Sequence, residues 1–272
     1  MKLAYCALLP DSDVNLFGYR GSSMEKTLED IKNASYGGVE LFLRDPAALD
    51  RPLFDRLLER FNLEVCAIGT AAISAQDKLT LCHMDEEKRK AAVERAKRLV
   101  DFSADYNRPP VCLGKFRGNL DPNARPLGWK KMRESFLELC DYALGKNVSI
   151  ALEPQERGNI NNLNSTKDGV MWVEQIGAPN LKLILDTYHM CMEDSSLSAG
   201  FMEGAKYLCH VHASDRDRKA PGTGGLDFCE ALKALRAINY GGYISVEIAQ
   251  GPDALNLLKK SAEYLNNALN SY

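Results

Sequence analysis

The sequence lacks any apolar run long enough to cross a membrane, since none approaches the roughly 18 residues that a spanning helix needs. Its first residues, MKLAYCALLPDSD, contain too short an apolar run for a secretion signal. A large excess of charge of one sign is also missing, because the chain has 34 basic and 37 acidic residues and therefore a net charge of −3. This balance does not favour nucleic acid as a partner. We therefore expect a soluble cytoplasmic protein that binds neither membranes nor nucleic acid.

Paired cysteines are absent, and histidine is scarce. None of the eight cysteines forms a C-x-x-C pair, and several stand inside apolar runs such as LEVCAIGT and PPVCLGK. This pattern argues against a cysteine zinc site and favours free, buried thiols in a reducing compartment. Only four histidines occur in the chain, which is few for an enzyme that binds a cluster of several zinc ions.

A glycine-rich phosphate-binding turn is absent from the place where a dinucleotide-binding fold would carry it. The segment that follows the first apolar run is LLPDSDVNLFGYRG, and it lacks the G-x-G-x-x-G spacing typical of a doubly wound sheet. The chain also shows no linker, no low-complexity segment and no break in composition. We therefore predict one domain over residues 1–272, with an open doubly wound sheet as the competing architecture.

What the sequence does contain is a regular alternation of apolar strands and amphipathic helices. Near-continuous apolar runs are typical of parallel strands that are covered on both faces. The predicted strands span residues 2–9, 38–43, 63–70, 109–115, 148–154, 181–189, 208–215 and 242–248. The predicted helices span residues 24–38, 50–62, 85–107, 129–147, 166–177, about 195–207, 226–240 and 252–272. Eight strand–helix units predict an α/β protein with a single (β/α)8 TIM barrel.

The fifth to the eighth predicted strands each carry an acid or a histidine near the end: Glu153, Asp186, His212 and Glu247. Active sites of such barrels lie at the carboxyl ends of the strands. Any one of these carboxylates could instead cap the next helix, and His210 shares a strand face with His212. Without a cation, however, the converging carboxylates would repel one another. The set predicts one divalent metal ion, Mn²⁺ foremost, then Mg²⁺ or Co²⁺, with Zn²⁺ less favoured by oxygen-rich ligands.

Four stretches of the sequence can be taken together, in the order ALEPQERGN, LILDTYHM, HVHASDRDRKAPGTGGLDF and YGGYISVEI. They resemble the xylose isomerase-like (AP endonuclease family 2) TIM barrels, in the branch of sugar and sugar-phosphate isomerases and epimerases. In ketose 3-epimerases of this branch, the metal ligands correspond to Glu153, Asp186, His212 and Glu247. The substrate-binding histidine and arginine correspond to His189 and Arg218. The resemblance implies that His210 is a neighbour of the site and not a ligand.

The resemblance also implies a proton transfer beside a sugar carbonyl, through a cis-enediolate. A ketose would chelate the metal through its carbonyl and an adjacent hydroxyl, and the metal would polarise the carbonyl. Glu153 and Glu247 would be the catalytic residues on opposite faces of the substrate, one removing a proton and the other returning one, which inverts the carbon centre. Return of the proton to the neighbouring carbon would give an aldose–ketose isomer instead. His189 and Arg218 would hold substrate oxygens.

One position departs from the ketose 3-epimerase pattern, in which a glutamate stands six residues after the first metal glutamate. Asn159 occupies that position, and its amide can hydrogen-bond a hydroxyl but carries no charge. We therefore expect Asn159 to bind substrate and leave the identity of the sugar open. Gln155 and Glu156 either compensate for the missing glutamate or are ordinary loop residues.

Three further polar features have two interpretations each. Lys115 and Arg117, in GKFRGN, either bind a phosphate or carboxylate of the substrate or form a solvated basic loop. Glu40, inside the apolar run GVELFL, either has a functional role or makes a structural hydrogen bond to a neighbouring strand. The backbone amides of APGTGG either shape the chain or bind an anion.

Other functions are compatible with the same barrel. Its family also includes isomerases and dehydratases of keto-inositols. An AP endonuclease that acts on DNA phosphates is disfavoured by the few histidines and the acidic balance of the chain. A barrel that binds a ligand without turnover is disfavoured by the complete set of four ligands. The expected partner is a small sugar or sugar phosphate, and barrels of this kind commonly form homodimers or homotetramers.

Overall fold

Eight parallel strands close into a barrel in the computed structural model, which describes residues 1–12 and 17–271. The strands follow one another around the barrel in chain order, and β1 completes it by pairing with β8. They are β1 Lys2–Leu8, β2 Gly38–Phe42, β3 Glu64–Gly69, β4 Val111–Leu113, β5 Ile150–Leu152, β6 Leu181–Asp186, β7 Leu208–Ala213 and β8 Tyr243–Val246. This topology confirms the predicted (β/α)8 barrel and excludes the open sheet.

Nine α-helices connect or follow these strands within the described residues. They are α1 Met24–Asn33, α2 Arg51–Phe61, α3 Glu86–Ala104, α4 Arg125–Leu144, α5 Thr166–Ile176, α6 Thr187–Glu193, α7 Leu197–Gly204, α8 Phe228–Ala237 and α9 Ala254–Asn270. None of these helices combines the length and the apolar character that crossing a membrane requires. Tyr272, the end of the predicted closing helix, and residues 13–16 lie outside the described residues.

Local capping explains where several helices begin. In α5 the Ser165 hydroxyl accepts a hydrogen bond from the Asp168 amide, and the Asp168 carboxylate accepts one from the Ser165 amide. This capping box satisfies amides that would otherwise have no partner in the first turn. Ser165 therefore sets the start of α5.

Several predicted boundaries are wrong, and the largest difference is at the first helix, which ends at Asn33 and not at residue 38. The sixth strand ends at Asp186 and not at residue 189, because the Asp186 carboxylate accepts a hydrogen bond from the Tyr188 amide at 2.8 Å and starts α6. His189 therefore belongs to the first turn of a short helix. The fourth helix begins at Arg125, earlier than predicted, with a proline in its first turn.

The core has two parts. Mostly small side chains pack inside the barrel, and they are Ala4, Cys66, Ala67, Cys112, Ala151 and Ile184. Larger apolar side chains on the outer strand faces pack against the helices, where the rings of Trp129 and Trp172 are in contact, with centroids 5.3 Å apart and planes inclined at 43°. All eight cysteines are free thiols, and five of them are buried. This agrees with the absence of paired cysteine spacings in the sequence.

Candidate metal centre and substrate cavity

The carboxyl ends of β5 to β8 bring four potential metal ligands together. Glu153, Asp186, His212 and Glu247 each offer one donor atom, and these four atoms lie within 4.8 Å of one another. Glu153 and Glu247 directly follow β5 and β8, whereas Asp186 ends β6 and pairs in register with His212 of β7. All four residues are at most 8% exposed. The structure therefore brings together the four side chains that the sequence singled out.

Nδ1 of His212 faces the three carboxylates of this cluster. It lies 2.8 Å from Glu153 Oε1, 3.6 Å from Glu247 Oε2 and 4.0 Å from Asp186 Oδ2. Burial by itself would lower the pKa of His212, but the surrounding carboxylates, Glu40 and Glu247 foremost, raise it well above its usual value. Positive charge on the ring is therefore favoured from both sides, by the cluster at Nδ1 and by Glu40 at Nε2.

The guanidinium of Arg218 supplies a second positive charge to the cluster. Its Nη1 donates to Asp186 Oδ2 at 2.5 Å and to Glu247 Oε2 at 2.8 Å. The rings of Phe17 and Tyr188 lie against the guanidinium, with centroids 4.9 and 4.5 Å from Cζ. These cation–π contacts stabilise the cation without adding another carboxylate.

The turn that carries Arg218 is held by the side chain of Asp215. This carboxylate accepts hydrogen bonds at 2.8–2.9 Å from three backbone amides, those of Arg216, Gly222 and Leu226. One amide of APGTGG, that of Gly222, thus binds an anion, but this anion is a side chain of the protein and not a ligand. Asp217 and Arg218 have left-handed backbones, with φ of 58° and 56°. Such a conformation costs about 1–2 kcal/mol per non-glycine residue, and here it directs Arg218 into the cluster.

The donor set of the cluster fits a divalent metal ion. Three carboxylates and one imidazole nitrogen suit ions that prefer oxygen ligands. The His212 imidazole and the Arg218 guanidinium lie within 2.8 Å of these carboxylates. Their positive charge offsets the repulsion among the carboxylates, as the charge of a bound ion would. A second group of possible donors, Cys6, Glu40 and His212, shares His212 with the first group.

The two glutamates of the cluster have different surroundings. Burial raises the pKa of Glu247, whereas for Glu153 the effect of burial is outweighed by the His212 imidazole, which lowers its pKa. Glu153 Oε2 also accepts a hydrogen bond from Gln155 Nε2 at 2.5 Å, and Gln155 Oε1 accepts one from Asn159 Nδ2 at 2.8 Å. Asn159 is therefore connected to the cluster through Gln155.

His189 contacts the Arg218 guanidinium. Its Nδ1 is 3.2 Å from the Glu156 amide nitrogen, and its Nε2 is 2.7 Å from Arg218 Nη2. Burial lowers the pKa of His189 to about 4, so its ring is neutral near pH 7. A neutral imidazole has one acceptor nitrogen, although a donor faces each of its nitrogens here. Only one of the two contacts can therefore be a hydrogen bond.

A cavity of about 510 Å³ opens from the cluster toward the loops after β3 and β4. Its volume is in the usual range for a small-molecule site. The predicted substrate residues Arg218, Asn159 and Lys115 line it, whereas His189 does not. Lys115 is exposed, and neither Lys115 nor Lys78, which also lines the cavity, forms an ion pair with another described residue.

Arg117 fits neither interpretation of the basic loop GKFRGN. It is fully buried, so it is neither solvated nor available to a substrate phosphate. Its guanidinium donates to four backbone oxygens, those of Gly114, Glu153, Asn162 and Leu163. These bonds connect the loop after β4 to the loop after β5. An arginine in a polar stretch gives no sign of such burial, and so the sequence alone did not reveal it.

Glu40 is fully buried and contacts both histidines of β7. Its Oε2 lies 2.9 Å from Nε2 of His210 and 2.9 Å from Nε2 of His212. The structural interpretation expected a partner on a neighbouring strand, and this is wrong, because β7 is not adjacent to β2 in the barrel. The signal in the sequence was an acid within an apolar run, but no local pattern indicated its partner.

Comparisons with known proteins agree with this fold. The family of xylose isomerase-like TIM barrels matches residues 28–268. An L-ribulose 3-epimerase of Methylomonas sp. is 28% identical over 239 residues, which cover 84% of this chain and 79% of that protein. A ketose 3-epimerase of Arthrobacter globiformis is 28% identical over 228 residues, which cover 83% of this chain and 76% of that protein.

Solved structures show the same architecture. A 3-keto-D-glucoside 4-epimerase from E. coli superposes with a TM-score of 0.82 at 20% identity, covering 98% of this chain and 99% of that one. A D-allulose 3-epimerase from Methylomonas sp., in complex with D-allulose, superposes with a TM-score of 0.80 at 23% identity, covering 98% and 97%. Since the family match extends over most of the chain, this protein belongs to the xylose isomerase-like TIM barrel family.

Proposed function

We propose that this protein is a divalent-metal-dependent sugar isomerase or epimerase that transfers a proton beside the carbonyl of a ketose-type substrate. The proposal depends on one observation, the cluster of Glu153, Asp186, His212 and Glu247, whose donor atoms converge within 4.8 Å beside a cavity. Relatives named as 3-epimerases of L-ribulose and of ketoses support epimerisation over isomerisation.

The four clustered residues would hold one divalent ion, and Mn²⁺ is the proposed occupant. Carboxylate-rich sites favour ions that prefer oxygen, which is why Mn²⁺, Mg²⁺ and Co²⁺ stand before Zn²⁺. When bound, the ion would supply Lewis-acid chemistry, polarising the sugar carbonyl and stabilising negative charge on its oxygen.

Glu153 and Glu247 are the proposed catalytic residues. They follow β5 and β8, which are separated by two strands around the barrel, so their side chains approach the cluster from different directions. One carboxylate would take the proton from the substrate carbon, leaving an enediolate, and the other would return a proton to the opposite face. Both side chains are buried, which keeps bulk water away from the transferred proton.

The proposed substrate contacts are Arg218, His189, Asn159 and Lys115. Arg218 would donate charge-assisted hydrogen bonds to sugar oxygens. The amide of Asn159 would exchange hydrogen bonds with hydroxyl groups, and the neutral ring of His189, which does not line the cavity, would reach a hydroxyl when Arg218 moves away from its Nε2. Lys115 is exposed in the cavity wall, where its ammonium suits a phosphate or carboxylate at the far end of the sugar. The substrate class is therefore a sugar or sugar phosphate.

A substrate screen with added Mn²⁺ tests this function. Ketoses, ketose phosphates and keto-inositols are incubated in deuterated water, and deuterium at carbon-bound positions is read by NMR. We expect metal-dependent exchange, with formation of the epimer, for at least one ketose or ketose phosphate. Exchange confined to keto-inositols would assign inositol chemistry instead. Exchange with none of these compounds, in protein that binds one ion per chain, would contradict the proposed function.

A further inference from the structure

Glu40 is a buried carboxylate that the proposed proton transfer does not use. It lies in β2, at 0% exposure, and its side chain faces His210 and His212 of β7. Its Oε2 lies 2.9 Å from Nε2 of each imidazole, and its Oε1 lies 3.1 Å from Nε2 of His212. Because β2 and β7 are not adjacent, these contacts cross the interior of the barrel.

The two ring nitrogens of His212 face different groups. Nδ1 faces the proposed metal ligands, with Glu153 Oε1 at 2.8 Å, whereas Nε2 faces Glu40. A neutral imidazole has one proton and one lone pair. An ion at Nδ1 therefore requires the proton to be on Nε2, and Glu40 is the acceptor at that nitrogen.

We propose that Glu40 is a positioning residue of the metal centre, which accepts the Nε2 proton of His212 and so directs the Nδ1 lone pair toward the ion. The inference rests on the proposed function in taking the cluster to hold a divalent ion. A carboxylate behind a ligating histidine fixes its tautomer and ring orientation and raises its basicity. Glu40 acts through His212 and needs no contact with the substrate.

His210 holds Glu40 in this position. Its Nε2 lies 2.9 Å from Ser245 Oγ as well as 2.9 Å from Glu40 Oε2, so it connects β8 with β2. Its ring stands at 86° to the His212 ring, with centroids 5.5 Å apart. A hydrogen-bonded chain thus runs from His210 through Glu40 to His212, and Ser245 Oγ can share the Nε2 proton of His210 as a second acceptor. All four residues are at most 2% exposed, and Glu40 and His212 also line the cavity.

A second metal ion held by Cys6, Glu40 and His212 is the rival explanation, because their donor atoms lie within 4.8 Å of one another. Such an ion would need the Nε2 lone pair of His212 while the first ion used Nδ1. A neutral imidazole has only one lone pair in the ring plane, so it cannot serve both ions. The two explanations predict different numbers of ions per chain.

The test compares the wild-type protein with Glu40→Gln and Cys6→Ala. Glutamine keeps the volume of Glu40 and one acceptor oxygen, but it is uncharged and its amide nitrogen faces an imidazole. Cys6 is also fully buried and lies next to Glu40, so it is the matched control. Titration calorimetry gives Kd for Mn²⁺, and elemental analysis counts ions. We expect Glu40→Gln to raise this Kd about 10- to 100-fold, and Cys6→Ala to leave it within about twofold.

NMR of ¹⁵N-labelled imidazoles in the Mg²⁺-loaded wild-type protein gives a readout that needs no variant to fold. We expect the proton of His212 on Nε2. A proton on Nδ1, an unchanged Kd in folded Glu40→Gln, or two ions per wild-type chain would overturn the inference. The proposed function fails differently, through an absence of sugar exchange in protein whose ion binding still depends on Glu40.

Discussion

Nη1 of Arg218 lies 2.5 Å from Oδ2 of Asp186, one of the four proposed metal ligands. The same nitrogen is 2.8 Å from Glu247 Oε2, and Nη2 is 2.7 Å from His189 Nε2. Arg218 therefore contacts both the proposed metal ligands and a proposed substrate residue. A metal ion and the guanidinium would compete for the same carboxylate oxygens, and binding of the ion would release Arg218 toward the substrate.

Replacing Arg218 with methionine tests this relationship. We expect KM for the ketose to rise about 10- to 100-fold, because a hydrogen bond to a charged group is worth about 1.5–3 kcal/mol. Kd for Mn²⁺ should stay the same or fall, because a competitor for the carboxylates is gone. Steady-state kinetics and titration calorimetry measure the two quantities, with the exposed neighbour Arg216→Met as the control. Weaker Mn²⁺ binding in Arg218→Met would contradict this role.

Glu247→Gln removes one of the two proposed proton-transfer groups while keeping the size of the side chain. At saturating Mn²⁺ we expect the exchange rate to fall about 100- to 10,000-fold, the usual contribution of a positioned acid or base. The melting temperature should change little, which calorimetry checks. The exposed Glu203→Gln variant should exchange at the wild-type rate. Full exchange activity in Glu247→Gln would rule out the two-carboxylate mechanism.

Removing divalent ions should abolish exchange and lower the free energy of unfolding. An ion at 100 times its Kd stabilises the native state by about 2.7 kcal/mol, so Mn²⁺ should raise the melting temperature of EDTA-treated protein. Protons compete with the ion for the ligands, so this increase should be smaller near about pH 5 than near about pH 7.5. Scanning calorimetry checks both. Equal melting temperatures with and without Mn²⁺ would be evidence against the site.

Gly114 lies where a larger residue would displace the cluster. A Cβ at this position would be 2.5 Å from Gln155 Nε2 and 2.6 Å from Glu153 Oε2. We expect Gly114→Ala to reduce kcat/KM by about 10- to 100-fold, because a shift of about 1 Å in a catalytic group has effects of this size. Gly241→Ala is the control, since its Cβ would meet nothing within 4 Å. Equal kcat/KM in the two variants would show that Glu153 tolerates displacement.

Lys115→Met tests whether the substrate carries an anionic group. Since Lys115 lines the cavity and forms no ion pair with a described residue, its charge is available to a ligand. We expect kcat/KM for a ketose phosphate to fall about tenfold or more, the loss of one charge-assisted hydrogen bond. The value for the free ketose should not change, and the exposed Lys88→Met should affect neither. An equal effect on both substrates would exclude phosphate binding by Lys115.

The sequence by itself determined the barrel and the rim where the candidate site lies. Near-continuous apolar runs alternating with amphipathic helices can be buried on both faces in a parallel sheet. Parallel strands share one carboxyl edge, so the residues that end β5 to β8 had to converge. This general rule was enough to place Glu153, Asp186, His212 and Glu247 together.

Only the tertiary structure decided which groups meet around these four residues. Glu40 contacts His212, which lies 172 positions further along the chain. Arg117 is buried, although the polar residues around it in the sequence suggested exposure to solvent. The strand end at Asp186 depended on a cap, and the direction of Arg218 depended on two left-handed residues. The periodicity of a sequence indicates which face of a helix or strand is buried. The partner of a buried side chain is instead set by how distant segments pack together, and no local sequence pattern predicts that packing.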